Sequence, residues 1–143
     1  MLDNRYVFQA RPDYATFGFE SVGPNGRIMK AVRYTKINEE SLYNLAFGDF
    51  DPATGDLDDL VVSNNGDLPK ILNTVAATVY VFTTHYPAAA IFATGSTAAR
   101  TRLYRMGLAN NLTEIETDFV VLGLLAGGWQ AFRKDVTYQG CVP

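Results

Sequence analysis

The first half of the chain carries short runs in which apolar and polar residues alternate, the pattern of half-buried strands. Four such runs cover residues 15–22, 27–37, 42–50 and 57–63. Asn25-Gly26 joins the first two runs and is a dipeptide that strongly favours a tight hairpin. Pro52 and Gly55 mark a turn between the last two runs. We therefore expect four antiparallel strands, with Lys30 interrupting an otherwise apolar face of the second.

The spacing of apolar residues changes in the second half and predicts a long amphipathic helix. Apolar side chains recur every three or four residues, at Leu68, Ile71, Leu72, Val75, Val79, Phe82 and Tyr86. Asp67 is the predicted N-cap, and Pro69 stands in the first turn, where its missing N–H costs nothing. Pro87 blocks continuation of the helix, and His85 lies near its C-terminal end, where a protonated imidazole interacts favourably with the helix dipole.

The remaining pattern completes the predicted fold. It indicates a short buried strand at residues 88–94, a second helix from Ala98 to about Ala109, a long strand at residues 113–125 and a last strand at residues 129–138. Residues 1–143 are thus predicted to form a single α+β domain. It consists of an antiparallel β-sheet of about six to seven strands with two α-helices packed on one face, in the order β-β-β-β-α-β-α-β-β.

Composition narrows the classes of function. The chain has 143 residues, of which 48% are hydrophobic and 19% charged, as in a globular protein. A net charge of −3 argues against a polycation that coats nucleic acid or anionic lipid. The single cysteine, Cys141, excludes an internal disulfide, and the single histidine excludes a multi-histidine metal site. No cofactor is predicted, because no phosphate-loop lysine or dinucleotide glycine fingerprint is present.

The same sequence predicts a cytoplasmic location without membrane contact. The N-terminal residues lack the apolar core of a signal peptide, and Asp3 places an acid among them. The most apolar stretch, Phe119 to Trp129, is about half of the ~20 residues that a bilayer needs. A lone thiol without a signal peptide is typical of a reducing compartment.

Several segments together resemble a known family. These are GPNGRIMKAVRY at residues 23–34, YNLAFGD at 43–49, NNGDLPKILNTVA at 64–76 and ATGSTAARTRLYR at 93–105. They resemble an uncharacterised family of small bacterial proteins that is known as a domain of unknown function. The resemblance covers about Phe19 to Trp129, and it implies neither an activity nor a catalytic residue.

The segment between the short buried strand and the second helix is the strongest candidate site. Orphan amides and the dipole at a helix start favour anions, and Gly95 would let a ligand approach the backbone. Hydroxyl groups, guanidinium groups and an aromatic ring follow within one short stretch. The predicted ligand-binding residues are Gly95, Ser96, Thr97, Arg100, Arg102, Arg105 and Tyr104. The alternative is an ordinary N-cap at Ser96 and a solvated arginine face that pairs with the chain's own carboxylates.

A second basic set and an acidic cluster are weaker candidates. Arg27, Lys30, Arg33 and Lys36 lie on one predicted strand, which would either bind single-stranded nucleic acid or protect a sheet edge from aggregation. The acidic residues are Asp49, Asp51, Asp56, Asp58 and Asp59. They would hold a divalent cation or act as acid and base, with Asp49, Asp51 and Asp58 preferred, or they form a solvated hairpin.

Three hypotheses of function follow from these features. The first is a non-enzymatic cytoplasmic binding domain that contacts an anionic partner, a nucleic-acid or nucleotide phosphate, through the arginine-bearing helix. The second is an enzyme acting on a phosphate-containing substrate, with a carboxylate of the acidic cluster as base or metal ligand. The third is a structural homodimer, in which apolar strands near the C-terminus pair with a second copy.

Overall fold

The computed structural model describes residues 4–37, 41–51, 53–58, 65–93, 98–125, 128–131 and 140–142. Within these ranges the chain forms short strands and three helices. The strands are β1 (Gln9–Ala10), β2 (Thr16–Gly23), β3 (Gly26–Lys36), β4 (Leu42–Asp51), β5 (Asp56–Asp58), β6 (Ala90–Ala93), β7 (Leu122–Leu125), β8 (Gly128–Ala131) and β9 (Gly140–Val142). The helices are α1 (Leu68–His85), α2 (Ala98–Asn110) and α3 (Leu112–Asp118). The fold is therefore mixed α+β with a mostly antiparallel sheet, as predicted.

The predicted antiparallel pairing of the first half is confirmed. β2 pairs with β3, β3 with β4, and β4 with β5, all antiparallel. The first hairpin closes with Gly23 opposite Gly26, whose φ of 90° lies in the region that favours glycine. A Cβ atom at Gly23 would lie 2.0 Å from the backbone oxygen of Asn65, so no larger residue fits there. The predicted fourth strand extends beyond Asp58 into residues 59–63, which lie outside the described residues.

One strand pair departs from the predicted antiparallel sheet. β6 lies parallel to β4, with Ala93 opposite Leu45. The reason is that α1 carries the chain across one face of the sheet between β4 and β6, and such a crossover returns the next strand in the same direction. The full strand order is β1-β2-β3-β4-β6-β9-β7-β8, with β5 beside β4.

The predicted strand at residues 113–125 is wrong over most of its length. Residues 112–118 form α3, and only Leu122–Leu125 form a strand, β7. The segment fits the alternation of a strand and also the spacing of a helix, because Leu112, Ile115 and Phe119 are three and four residues apart. Burial of Leu112 and Ile115 against α1 and α2 decides in favour of the helix. The described residues accordingly hold three helices rather than two, and nine strands rather than six to seven.

α1 begins and ends where the sequence predicts, but its cap differs. The carboxylate of Asp67 makes no capping hydrogen bond to the helix. Its Oδ2 atom instead accepts hydrogen bonds from Tyr6 Oη and Ser21 Oγ, each at 2.5 Å. Asp67 therefore ties the helix start to the N-terminal segment and to β2. At the other end, the imidazole of His85 stacks on Tyr14 with ring centroids 3.6 Å apart.

The hydrophobic core lies between the sheet and the helices. Alternate residues of β2, β3 and β4 face the helices, and the apolar stripe of α1 covers them. The residues of this core are Phe17, Phe19, Val32, Tyr34, Leu45, Phe47, Ile71, Leu72, Val75, Val79, Phe82, Ile91, Ala93 and Tyr104. None of the helices in the described residues has the length and apolar character needed to cross a bilayer.

Candidate functional site

The candidate site is built on α2, which packs against β4 through one tyrosine. The ring of Tyr104 meets that of Phe47 edge to face at 5.2 Å between centroids. Its Oη atom accepts a hydrogen bond from the backbone N–H of Phe47 at 3.2 Å. Gly107 lies against Leu72 of α1 one turn later. These contacts bury one side of α2 and leave the opposite side to solvent.

Tyr104, which the sequence predicts as a ligand-binding residue, is instead a residue of the core. Its side chain is 5% exposed and belongs to the core, because Tyr104 lies on the helix face opposite Arg102. The two residues are about 200° apart around the helix axis. Tyr104 positions α2 on the sheet and does not stand beside the exposed guanidinium group.

The remaining predicted ligand-binding residues divide into three groups. Gly95, Ser96 and Thr97 lie outside the described residues. Arg100 belongs to the first turn of α2, as its backbone shows. Arg102 is exposed, whereas Arg105 is half-buried and already interacts within the protein. Arg102 and Arg105 are three residues apart and lie on one side of α2, and Arg102 is the more exposed of the two.

The charge on α2 is of one sign. Its sequence AARTRLYRMGLAN contains three arginines and no acidic residue. No partner within the helix can therefore neutralise these guanidinium groups at the i±3 or i±4 positions. In the part of the chain that the structure describes, Arg102 makes no ion pair. The positive end of the helix dipole adds to this charge at the first turn.

A buried ion pair lies on the same side of the sheet as α2. Lys30 of β3 and Asp49 of β4 are opposite each other in register, and Lys30 Nζ donates to Asp49 Oδ1. Their side chains are 6% and 25% exposed. The next pair of residues on this face is Val32 and Phe47, and Phe47 is the contact of Tyr104. The ion pair therefore borders the core below α2.

Lys30 was not predicted to be an interior residue. The sequence places it on the otherwise apolar face of β3 and groups it with the other basic residues of that strand. The signal was present nonetheless, because Lys30 is in phase with Val32 and Tyr34, which point into the core. A lysine at an inward position of a strand requires a carboxylate close by, which Asp49 supplies.

The other members of that basic set do not form one surface. Arg27 makes an exposed ion pair with Glu20 at 2.7 Å. The guanidinium of Arg33 lies 3.4 Å from the backbone oxygen of Gly55, and Lys36 is exposed at the end of β3. Arg27 and Lys36 lie near opposite ends of β3, about 30 Å apart at ~3.3 Å per residue, so their charges are dispersed. The predicted protection of a sheet edge is wrong, because β3 lies between β2 and β4, and the dispersed charges do not favour a nucleic-acid platform.

The residues of the predicted acidic cluster likewise have separate partners. Asp49 holds Lys30, and Asp51 Oδ1 accepts a hydrogen bond from the N–H of Ala53 at 2.9 Å. Gly55, with a φ of 76°, completes the turn. Asp58 is the register partner of Asp49, and Asp59 lies outside the described residues. Among the described residues, no three His, Cys, Asp or Glu side chains converge as a metal site would require.

Comparison with known proteins gives one match. A family model described as a family of unknown function, DUF6934, matches residues 2–142. It confirms the predicted resemblance to a family of unknown function over nearly the whole chain. No curated protein and no solved structure matches the chain.

Proposed function

The chain belongs to the DUF6934 family, whose function is unknown, and we propose that it is a non-enzymatic binding domain for an anionic partner. The partner offers phosphate groups, as a nucleic acid or a nucleotide does. The binding surface is the outer face of α2 with the segment before it, Gly95 to Thr97. The observation that carries this proposal is the exposed, unpaired guanidinium of Arg102 on a helix without acidic residues.

The chemistry of the arginine side chain supports phosphate as the ligand group. A guanidinium presents several N–H donors in one plane and matches the oxygens of a phosphate. Arg100 and Arg105 would add charge from neighbouring turns, and the helix dipole would stabilise an anion at the first turn. Electrostatic attraction of this kind needs no deep pocket, which suits an extended polyanion.

The ion pair between Lys30 and Asp49 favours a binding role of the protein over an enzymatic role. The enzyme hypothesis uses a carboxylate of the acidic cluster, Asp49 or Asp58, as base or metal ligand. The carboxylate of Asp49 already pairs with the buried ammonium of Lys30, so its use as a base or metal ligand would disturb this ion pair. The proposed setting is the cytoplasm, where a lone thiol such as that of Cys141 stays reduced.

Removal of the Arg102 guanidinium is expected to weaken binding to a polyanion. For Arg102→Ala, we expect about fivefold weaker affinity for a fluorescein-labelled oligothymidine, the equivalent of ~1 kcal/mol for one charged contact. The slope of log affinity against log salt should fall by about 0.7, since one phosphate contact is lost. Fluorescence anisotropy between about 50 and 200 mM salt measures both quantities.

The matched control for this experiment is Lys36→Ala, which removes one exposed positive charge from β3 instead of α2. Its affinity and salt slope should equal those of the wild-type protein. Equal losses in the two variants would show a nonspecific charge effect and contradict the proposed surface. Absence of binding by the wild-type protein at low salt would contradict the function itself.

Self-association is the second candidate, and one observation favours it. β8 ends the strand order, and its Trp129 side chain is 47% exposed. An edge strand with an exposed large aromatic residue favours pairing with a second copy. Light scattering on the wild-type protein is expected to show a dimer under this hypothesis, and a monomer at high concentration would exclude it.

A further inference from the structure

A surface pocket of about 460 Å³ lies on the face of the sheet opposite to α1 and α2. The core residues Phe17, Phe19 and Val32 point towards the helices, so the residues that alternate with them point to the other face. The volume is within the range of pockets that hold small molecules. The lining of this outer-face pocket includes Val7, Arg11, Gly18, Met29, Ala31 and Phe50.

The floor of the outer-face pocket is formed by two small residues. Gly18 of β2 is opposite Ala31 of β3 in register, and Ala31 lies deepest, with 2% of its surface exposed. A Cβ atom at Gly18 would have a single neighbour within 4 Å, the backbone oxygen of Lys30 at 3.9 Å. The φ of Gly18 is not in the region that favours glycine. Neither packing nor backbone therefore requires a glycine here, and the space above it is open.

Two side chains extend over this floor from opposite sides. Cζ of Arg11 lies 6.0 Å from the centroid of the Phe50 ring, although β2 and β3 stand between Arg11, which follows β1, and β4. Because neighbouring strands are about 4.8 Å apart, this distance requires both side chains to reach across the pocket. The backbone N–H of Arg11 donates to the oxygen of Thr16 at 2.9 Å, which fixes the base of the arginine.

The outer-face pocket carries one positive charge that no carboxylate balances. Glu20, the acidic residue in its lining, already pairs with Arg27 at 2.7 Å. Within the described ranges, Arg11 forms no ion pair. A guanidinium presents parallel N–H donors that match the two oxygens of a carboxylate. A single guanidinium balances the single charge of one carboxylate, so the pocket favours a ligand with that head group.

The walls of the pocket favour a flat apolar body for the ligand. Val7 and Met29 are 92% and 39% exposed, and the ring of Phe50 stands beside them in the lining. The thioether of methionine makes favourable contacts with aromatic rings, and a phenylalanine ring packs on another ring edge to face or with an offset. A glycine floor lets such a ring approach the backbone closely.

We propose that the outer-face pocket binds a small aromatic carboxylate. Its carboxylate pairs with the guanidinium of Arg11, and its ring lies over Gly18 between Met29 and Phe50. This site is separate from the proposed anion surface, because α2 packs on the other face of the sheet. The two proposals can therefore fail independently.

Titration of isotope-labelled protein with cinnamate, followed by the backbone amide resonances, tests this proposal. We expect saturable shifts at the amides of Gly18 and Ala31. Cinnamyl alcohol has the same carbon skeleton with a neutral head and should bind at least about fivefold more weakly, since the charged contact to Arg11 is lost. Acetate, which is the head group alone, should give no saturable shift at these amides.

Two variants remove different parts of the outer-face pocket. Gly18→Val fills the space above the floor and should abolish cinnamate binding, while the fold is kept because valine is favoured in strands. Arg11→Ala should weaken cinnamate binding at least about fivefold and leave the affinity for cinnamyl alcohol unchanged. The matched control is Lys36→Ala, which removes an exposed positive charge at the end of β3 and should bind cinnamate as the wild-type protein does.

Four results would overturn the proposal. They are the absence of saturable cinnamate shifts at Gly18 and Ala31, equal affinities for cinnamate and its alcohol, full cinnamate affinity in Arg11→Ala, or cinnamate shifts centred on α2. The last result would place the carboxylate on the proposed anion surface instead. Should Gly18→Val fail to fold, Arg11→Ala and its control still decide the question.

Discussion

Asp49→Ala is expected to lower the free energy of unfolding by about 3 kcal/mol, because it breaks the buried ion pair in which Lys30 Nζ donates to Asp49 Oδ1. Most of this cost is the desolvation of the remaining charge and not the lost attraction between the two groups. The side chain of Lys30 is 6% exposed, so little water is available to replace Asp49. Urea denaturation followed by circular dichroism measures the loss.

Two controls separate this effect from a general loss of acidic charge. Asp51→Ala removes an exposed carboxylate two residues later and should cost less than about 1 kcal/mol, the value of one surface hydrogen bond. The double variant Lys30→Met with Asp49→Leu replaces the pair by apolar groups and is expected to unfold close to the wild-type midpoint. Equal losses for Asp49→Ala and Asp51→Ala would show that the ion pair is not buried as described.

Phe82→Ala is expected to cost about 4 kcal/mol, the range for removing a fully buried phenylalanine. Phe82 has no exposed surface and lies at the centre of an aromatic group. Its ring stacks on Tyr34 at 4.1 Å and on Tyr86 at 4.8 Å, and it meets Tyr43 edge to face at 5.0 Å. The substitution therefore removes packing from α1, β3 and β4 together.

The conservative variant Phe82→Leu tests whether shape or only hydrophobicity matters. It keeps most of the buried apolar volume and should cost about 1–2 kcal/mol, since the stacked geometry is lost but no large cavity forms. Denaturant midpoints of the two variants and the wild-type protein give the comparison. A cost of under about 1 kcal/mol for Phe82→Ala would contradict the central position of this ring.

α1 was predictable because all of its determinants are local in the sequence. The apolar stripe that includes Val75, Val79 and Phe82 holds its phase over the whole helix. Pro69 and Pro87 fix the ends, since one suits a first turn and the other stops the helix. The hairpin at Asn25-Gly26 was predictable for the same reason, as its turn chemistry lies within two residues.

α3 could not be predicted, because its short segment fits two periods equally well. Ile115 and Phe119 lie on one side of a helix and also on one side of a strand. The choice is made by contacts of Leu112 and Ile115 with residues distant in the sequence, such as Ala76 of α1. The insertion of β9 between β6 and β7 is nonlocal in the same way, and no sequence pattern encodes it.

The candidate site was predictable in its residue types but not in its spatial arrangement. The three arginines of α2 were apparent from the sequence, whereas the inward position of Tyr104 depends on where α2 meets Phe47. The partnership of Lys30 with Asp49 depends on the register of β3 and β4. The alternation within each strand shows which residues face inward but does not show which residues of β3 and β4 stand opposite each other.

Binding of an anionic partner to the outer face of α2 can be located residue by residue with nuclear magnetic resonance. Isotope-labelled protein is titrated with inorganic polyphosphate while backbone amides and arginine side-chain N–H groups are followed. We expect the largest shifts in residues 98–105 and at the Arg102 guanidinium. Shifts centred on Arg27, Arg33 and Lys36 of β3, or none at all, would contradict it.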